Sequence, residues 1–432
     1  MRSFIPRVSR PVFFQLLLPT FFVHLTRGLT VSTLPLIVLE NLQQSKFSVG
    51  LAVSSIGLGK ILSDIPLGVV LSYIGARNLM MISGLIITGS AFLSWVSVSV
   101  IGSFWCLVVA LLVYGVGQGA GVLSRLAMIS ENIPKPERGQ ISALLGGSAR
   151  LAMAVGPALG GILMDVSLPL LFLIQAMSAV CSVLVLFLAV SSHPMSQINP
   201  ESPRNIQHSW RSFYPSQPSF PAHILLNIGV FVVGIQLVRE CRKLVIPLAG
   251  VDLGMSIEDV GWYSTVSYSI DALLFSTAGI VMDTYGRNFC ATASVSIMVL
   301  AQLIILPGVS ETTLFLNAVI GGIGNGLSSG ILVAYGADLA PFEPPEAKSE
   351  FLGYYRLIGD FGEFFGPMIV GTLAQFTSTP TMINTVCSVG IASVYWLVWK
   401  VPEPLSVAEE PPKIPSPKPL ASQIKQDDQF VQ

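Results

Sequence analysis

Twelve apolar stretches, each about as long as a lipid bilayer is thick, constrain this chain more than anything else in it. They fall at 11–38, 47–72, 78–99, 104–129, 141–165, 168–191, 221–248, 257–282, 288–308, 312–337, 349–375 and 380–400. A segment that crosses roughly 30 Å of hydrocarbon finds no water there, so it must satisfy its own backbone hydrogen bonds; a helix does this in about 20 residues. The expected fold class is therefore an all-α membrane protein with twelve transmembrane helices. Of the 432 residues, 52% are hydrophobic and 11% charged, more apolar sequence than one soluble core could use.

The chain is also written twice. Arg27-x7-Pro35-Leu36 returns as Arg239-x7-Pro247-Leu248, Val49-Gly50 as Val260-Gly261, GVVLSYIGARN from Gly68 as GIVMDTYGRN from Gly279, and Gly156-Pro157 as Gly366-Pro367. Chance matches would scatter, whereas these keep one order and separations of 210 to 212 residues, which means duplication of a half-chain unit. The expected domains are a six-helix bundle (1–191), a cytoplasmic linker rich in Ser, Pro, Asn and Gln (192–220), a second six-helix bundle (221–400) and a disordered cytoplasmic tail (401–432).

Basic residues orient this arrangement. With both termini taken as cytoplasmic, fourteen Lys and Arg flank the inner ends of the spans, and Lys46 alone lies in an outer loop. The positive-inside rule then favours an even number of spans with both ends in the cytoplasm; the expected location is the cell membrane. The first apolar stretch follows a short basic run as a signal peptide would, but its length and the lack of a small-residue cleavage site keep it as the first span. Five cysteines without paired spacing suggest neither a disulfide framework nor a metal site. With no phosphate-binding Gly-rich loop and no catalytic Ser/His/Asp arrangement, the chain reads as a non-enzyme without cofactor.

These motifs carry a family resemblance. GIVMDTYGRN resembles the loop signature of the major facilitator superfamily, found between the second and third helices of each half, and GVVLSYIGARN resembles its first-half counterpart. GPALGG at 156–161 is similar to the fifth-helix Gly-Pro motif of proton-driven drug exporters in that superfamily. The resemblance implies two pseudo-symmetric six-helix bundles closest to the drug/metabolite:proton antiporter branch. The chain departs from the pattern at two places: Ser72 replaces the first-half Asp, and the fourth helix lacks the branch's arginine, with Leu, Val and Tyr in LLVYGVGQGAG (111–121).

Ionisable residues at membrane depth point to function, because each costs roughly 2.5–3.5 kcal/mol on insertion scales unless it faces a cavity or a partner. Arg27, on a first-helix stripe with Thr20 and His24, and Arg239, on a seventh-helix stripe with Gln236, Arg242 and Lys243, lie at equivalent positions. In the fold that the chain resembles these helices face each other, so Arg27, Arg239, His24 and Gln236 are the expected substrate-binding residues, with the arginine pair gripping an anion. Internal pairing with a carboxylate such as Glu240 or Asp64 is the competing reading. His24 is a conceivable proton carrier, or a wall residue.

Coupling and gating are expected at Lys60, Asp64, Arg150, Asp271, Asp360, Glu363 and Asp283. Lys60 and Asp271 are repeat mates, as are Arg150 and Asp360, with the sign inverted within each pair. Since helices 2 and 11, and 5 and 8, pack together in the resembled fold, Lys60–Asp360 and Arg150–Asp271 are expected to bridge the halves. Asp283 is expected near a neighbouring helix N-terminus, where a carboxylate is favoured. Glu363 has two readings, pairing with Arg356 or facing the cavity.

The expected function is secondary active transport of a small organic solute, anionic or amphiphilic, by alternating access and as proton-coupled export. The expected partners are that solute, protons and the lipid bilayer, with no nucleic acid, and the chain is expected to act as a monomer. Alternatives are a gradient-independent facilitator, a lipid-type flippase, and a non-transporting sensor or scaffold.

Overall fold

A computed structural model describes residues 10–133, 138–192, 222–340 and 345–403. Nearly all of the expected linker and tail lies outside these residues, as do Arg2, Arg7, Lys135, Arg204, Arg211, Lys413, Lys418 and Lys425 of the basic set. Among the described residues every regular element is helical. Twelve helices are long and apolar enough to cross a membrane. We number them α1 (Arg10–Asn41), α2 (46–74), α3 (76–101), α4 (Phe104–Asn132), α5 (Arg138–Val166), α6 (Leu168–Ser192), α7 (Ala222–Asp252), α8 (Ile257–Tyr285), α9 (Arg287–Ile304), α10 (Glu311–Leu339), α11 (Pro345–Phe376) and α12 (Thr379–Lys400).

The two ends of the bundle are made by different residues. Each even-numbered helix begins at a serine whose hydroxyl accepts a backbone N–H three residues on: Ser45 from Ser48, Ser103 from Cys106, Ser167 from Leu170, Ser256 from Asp259, Ser310 from Thr313 and Ser378 from Thr381. Such a cap satisfies one of the four N–H groups that a helix start leaves open. At the opposite end the chain turns between helices 2 and 3 of each half at Gly75 (φ +81°) and Gly286 (φ +94°), left-handed values that favour glycine. These glycines are the duplicated ones of the loop motifs.

The halves meet along two seams, α2 against α11 and α5 against α8. At the serine-capped end the seams close to backbone contact. A Cβ on Gly50 would sit 2.5 Å from the Pro367 carbonyl oxygen, and one on Gly261 would sit 2.6 Å from that of Pro157. The duplicated Val-Gly and Gly-Pro motifs therefore form two equivalent clasps, with Gly371 and Gly161 packed beside them. Lys46 completes this closure: its ammonium lies 2.6 Å from Asp252, and its backbone N–H donates to Gln375 Oε1 at 3.0 Å. Toward the other end of α8 and α11, Gly279 and Gly353 meet no atom within 4 Å.

α10 is not continuous. Its helix runs from Glu311 to Leu327, opens at residues 328–330, where Gly330 takes φ +79°, and resumes over Ile331–Leu339. A broken helix leaves carbonyls without intrahelical partners, tolerable at membrane depth only where other protein groups or a cavity supply them.

Candidate functional site

The charged residues gather midway along both seams. On the α2–α11 seam the Lys60 ammonium donates to both carboxylate oxygens of Glu363, at 2.8 and 2.7 Å, and Arg27 of α1 donates to Glu363 Oε1 at 2.7 Å. One turn away, Arg356 donates to Asp64 Oδ1 at 2.8 Å, and its Nε lies 3.6 Å from Asp360 Oδ2. The expected Lys60–Asp360 bridge is therefore corrected: Lys60 takes Glu363 and Asp360 stands beside Arg356. Glu363 offers Lys60 a two-oxygen contact while also holding Arg27, and charge-assisted bonds of that kind are the strong ones. Its repeat mate is Met153, so comparison of the halves gave no sign of this pairing.

On the α5–α8 seam the structure brings Arg150 and Asp271 together, with Nε 3.5 Å from Oδ1 and the guanidinium 4.4 Å above the Phe275 ring. Asp271 also accepts from Asn325 Nδ2 at 2.6 Å and from Ser329 Oγ at 3.4 Å, both at the α10 break. Arg239 donates from Nη2 to the Ser328 carbonyl at 3.1 Å and to its hydroxyl at 2.8 Å, and from Nη1 to Gln236. At the break the buried Ser328 carbonyl thus accepts from an arginine as well as from the Ile331 N–H at 3.2 Å. The sequence signal for this break is the Gly/Ser-rich run NGLSSG at 325–330 inside an apolar span.

Arg27 and Arg239 share depth but no partner. Arg27 lines a central cavity with Thr30, Val31 and Leu34 of α1, Val53 and Ile56 of α2, Tyr114 of α4, Glu240, Lys243 and Leu244 of α7, and Glu363 of α11. Lys243 and Glu240 are ion-paired in its wall. These two residues and Tyr114 join the candidate site, whereas Arg239 and Gln236 face the α10 break. Carboxylate pairing, the competing reading for Arg27, is realised through Glu363 and not through Glu240 or Asp64.

Two other expected residues stand apart. His24 places Nδ1 2.9 Å from the Thr20 carbonyl of its own helix and does not line the cavity. Asp283 is 75% exposed and pairs with Arg287, which Asp338 also binds, away from the charged seams. The carboxylate at the start of α9 belongs to Glu403, which accepts from the backbone N–H groups of Arg287 (2.7 Å) and Asn288 (2.8 Å). That role was expected of Asp283; Glu403 was hidden at the edge of the segment expected to be a disordered tail.

A second cavity lies within the first bundle. It is lined by uncharged polar groups, among them Thr26, Thr30, Thr33, Ser90, Ser94, Tyr114 and Gln175, and shares Thr30, Leu34 and Tyr114 with the central one.

Two helical bundles of membrane-length helices, clasped at one end and joined by ion pairs across both seams around a central cavity, define a multi-pass membrane protein. The chain belongs to the Major Facilitator Superfamily, whose family description matches residues 16–238 and 241–430. Over 149 residues, 34% of the chain, it is 26% identical to the MFS-type transporter calB of Penicillium decumbens; the match spans about a quarter (26%) of that relative. Three solved structures share the fold. The human organic anion transporter MFSD10 (TETRAN) is 16% identical with a TM-score of 0.68, covering 91% of this chain and 100% of that one. A point mutant of the nucleoside transporter NupG is 13% identical with a TM-score of 0.65, covering 90% and 100%. A POT family transporter in complex with a thioalcohol-conjugated peptide is 12% identical with a TM-score of 0.72, covering 90% and 94%.

Proposed function

We propose that this protein is a proton-coupled secondary transporter of a small organic anion, working by alternating access with both termini in the cytoplasm. One observation carries the reading: Glu363 lines the central cavity while shared between two cations, Arg27 and Lys60. An anionic solute entering that cavity competes with Glu363 for Arg27. Protonating Glu363 withdraws its negative charge from Arg27 and Lys60 and so makes room for the solute's charge. Proton and anion therefore favour each other's binding, and the linkage is reciprocal.

The cations facing Glu363 are the ones for which the solute would compete. Arg27 of α1 and Lys60 of α2 contact it directly, and the Lys243–Glu240 pair of α7 lines the same cavity. This competition supports movement of anion and proton in the same direction, as against the export that the GPALGG motif suggests. The neighbour described as an organic anion transporter shares only the fold; the substrate class proposed here rests on the charges.

The seams supply the moving parts. Closure at Gly50 and Gly261 seals the serine-capped end, which we assign to the outside, and rocking about the central ion pairs would open it. The test is uptake of a radiolabelled aryl carboxylate into proteoliposomes. Wild-type uptake is expected to rise when an inward proton gradient is imposed, and Glu363→Gln is expected to transport at a rate independent of that gradient. Flux that ignores the gradient in the wild type would show a facilitator; no flux of any organic anion would overturn the assignment.

A further inference from the structure

The two seams are built alike but are not charged alike. Along α2–α11, Arg27, Lys60 and Arg356 stand against Glu363, Asp64 and Asp360, and Arg125 of α4 is buried within reach of Arg356, four cations with three carboxylates. Along α5–α8, Arg150, Arg239 and Arg242 stand around Asp271 alone. Glu240, the next carboxylate within range of Arg239, is committed to Lys243 and adds no net charge. Among the described residues the first seam carries an excess of one positive charge over three carboxylates, and the second an excess of two over a single carboxylate.

These cations are deep and linked. Arg242 is 3% exposed, donates to Ser267 Oγ at 2.6 Å and lies 4.9 Å over the Tyr268 ring, one turn of α8 from Asp271. Asp271 is 5% exposed. Arg239 reaches the same carboxylate through the α10 break, where Ser328 binds the arginine and its neighbour Ser329 binds Asp271. The Nε–H groups of Arg239 and Arg242 are buried and donate to no acceptor among the described residues, and that of Arg150 reaches Asp271 only at 3.5 Å.

Arginine does not relieve such an imbalance by losing its proton. Ring faces lower the cost of a buried cation without cancelling its charge, and water can accept an N–H while leaving the charge in place. The resumed helix Ile331–Leu339 worsens the imbalance, because its positive N-terminal end begins beside the same Ser328 and Ser329. Every one of these features is relieved by an anion. The space is narrow: a Cβ on Gly321 would lie 3.2 Å from Arg242 Cδ, and one on Gly146 would lie 3.2 Å from Phe275 and 3.3 Å from Arg150 Nη1. Neither cavity described above is lined by these arginines, so the organic solute of the central cavity is not the natural occupant.

We infer that Arg150, Arg239 and Arg242 form a second anion site, separate from the Arg27–Glu363 centre, that binds a small inorganic anion of halide size. Its occupancy neutralises the α5–α8 seam and steadies the broken α10, so chloride acts as a structural co-ion of the transporter.

The test is thermal unfolding of the full-length protein in detergent, with no organic solute present, titrating chloride against gluconate at fixed ionic strength. Wild-type protein is expected to gain roughly 2–4 °C along a saturable curve, with bromide replacing chloride. Arg242→Gln is expected to abolish the chloride response, and Lys46→Gln, which removes a cation from the clasped end, to retain it. Arg239→Lys keeps the charge and loses the fork; it is expected to raise the half-saturating chloride several-fold and carries the test if Arg242→Gln does not fold. A wild-type midpoint indifferent to the anion overturns the inference. So does a chloride response unchanged in these arginine variants.

Discussion

Glu363 concentrates the chemistry of this protein in one side chain, because three demands meet there. It lines the cavity, crosses a seam, and pairs with two cations at once. Replacing it by Gln leaves Arg27 and Lys60 without that charge, and breaking a buried ion pair from one side costs about 3–5 kcal/mol. Glu363→Gln is therefore expected to unfold at markedly lower temperature than wild type, whereas the double variant Glu363→Gln/Lys60→Gln recovers part of the loss; equal midpoints for the two would show that the pairing is not what stabilises the seam. Arg27→Gln should leave Glu363 to Lys60 alone and weaken organic-anion uptake at least tenfold, read as an increase in the half-saturating solute concentration. The polar cavity of the first bundle provides a contrast: Ser90→Ala and Ser94→Ala remove no charge and are expected to leave the proton dependence of uptake unaltered.

Two kinds of element carry the larger movements. The clasps depend on glycine because α2 meets α11, and α8 meets α5, at backbone distance. A valine at Gly50 or Gly261 would put its Cβ within 2.5–2.6 Å of a proline carbonyl oxygen. Gly50→Val and Gly261→Val are expected to prevent closure at that end, which a water-soluble thiol reagent would report as faster labelling of a cysteine introduced at Leu34. The broken α10 depends on Gly330 at φ +79°. Gly330→Val is expected to cost roughly 1–3 kcal/mol of stability, since a β-branched residue is strained in that conformation. The Ser caps would be poor targets for such a test, because each contributes only about 1 kcal/mol at a helix end.

At the scale of the whole molecule, alternating access requires that the clasped end open. Cysteines placed at Lys46 and Asp252, whose side chains now form an ion pair 2.6 Å long, are expected to be joined by a reducible bifunctional thiol reagent that spans the lysine's length, stopping transport until the link is reduced. Transport that continues through the cross-link would rule out rocking about these seams. Much of this architecture was legible beforehand, because spans, duplication and turn glycines are local signals that hydrocarbon imposes on any chain crossing it. The Arg150–Asp271 contact was also readable, since both residues belong to the repeat. Lys60–Glu363 was not: Glu363 has an uncharged repeat mate, and only the packing of α11 on α2 sets which of its carboxylates meets the ammonium. Asp283 was given a role that Glu403 fills, because a contact over more than a hundred residues leaves no spacing to read. The order of amino acids was enough to dictate twelve helices in two related halves, since each helix answers to the bilayer alone. Which charges meet, which seam is left the more positive and where a helix breaks depend on how the halves pack, because a buried charge is governed by its neighbours in space.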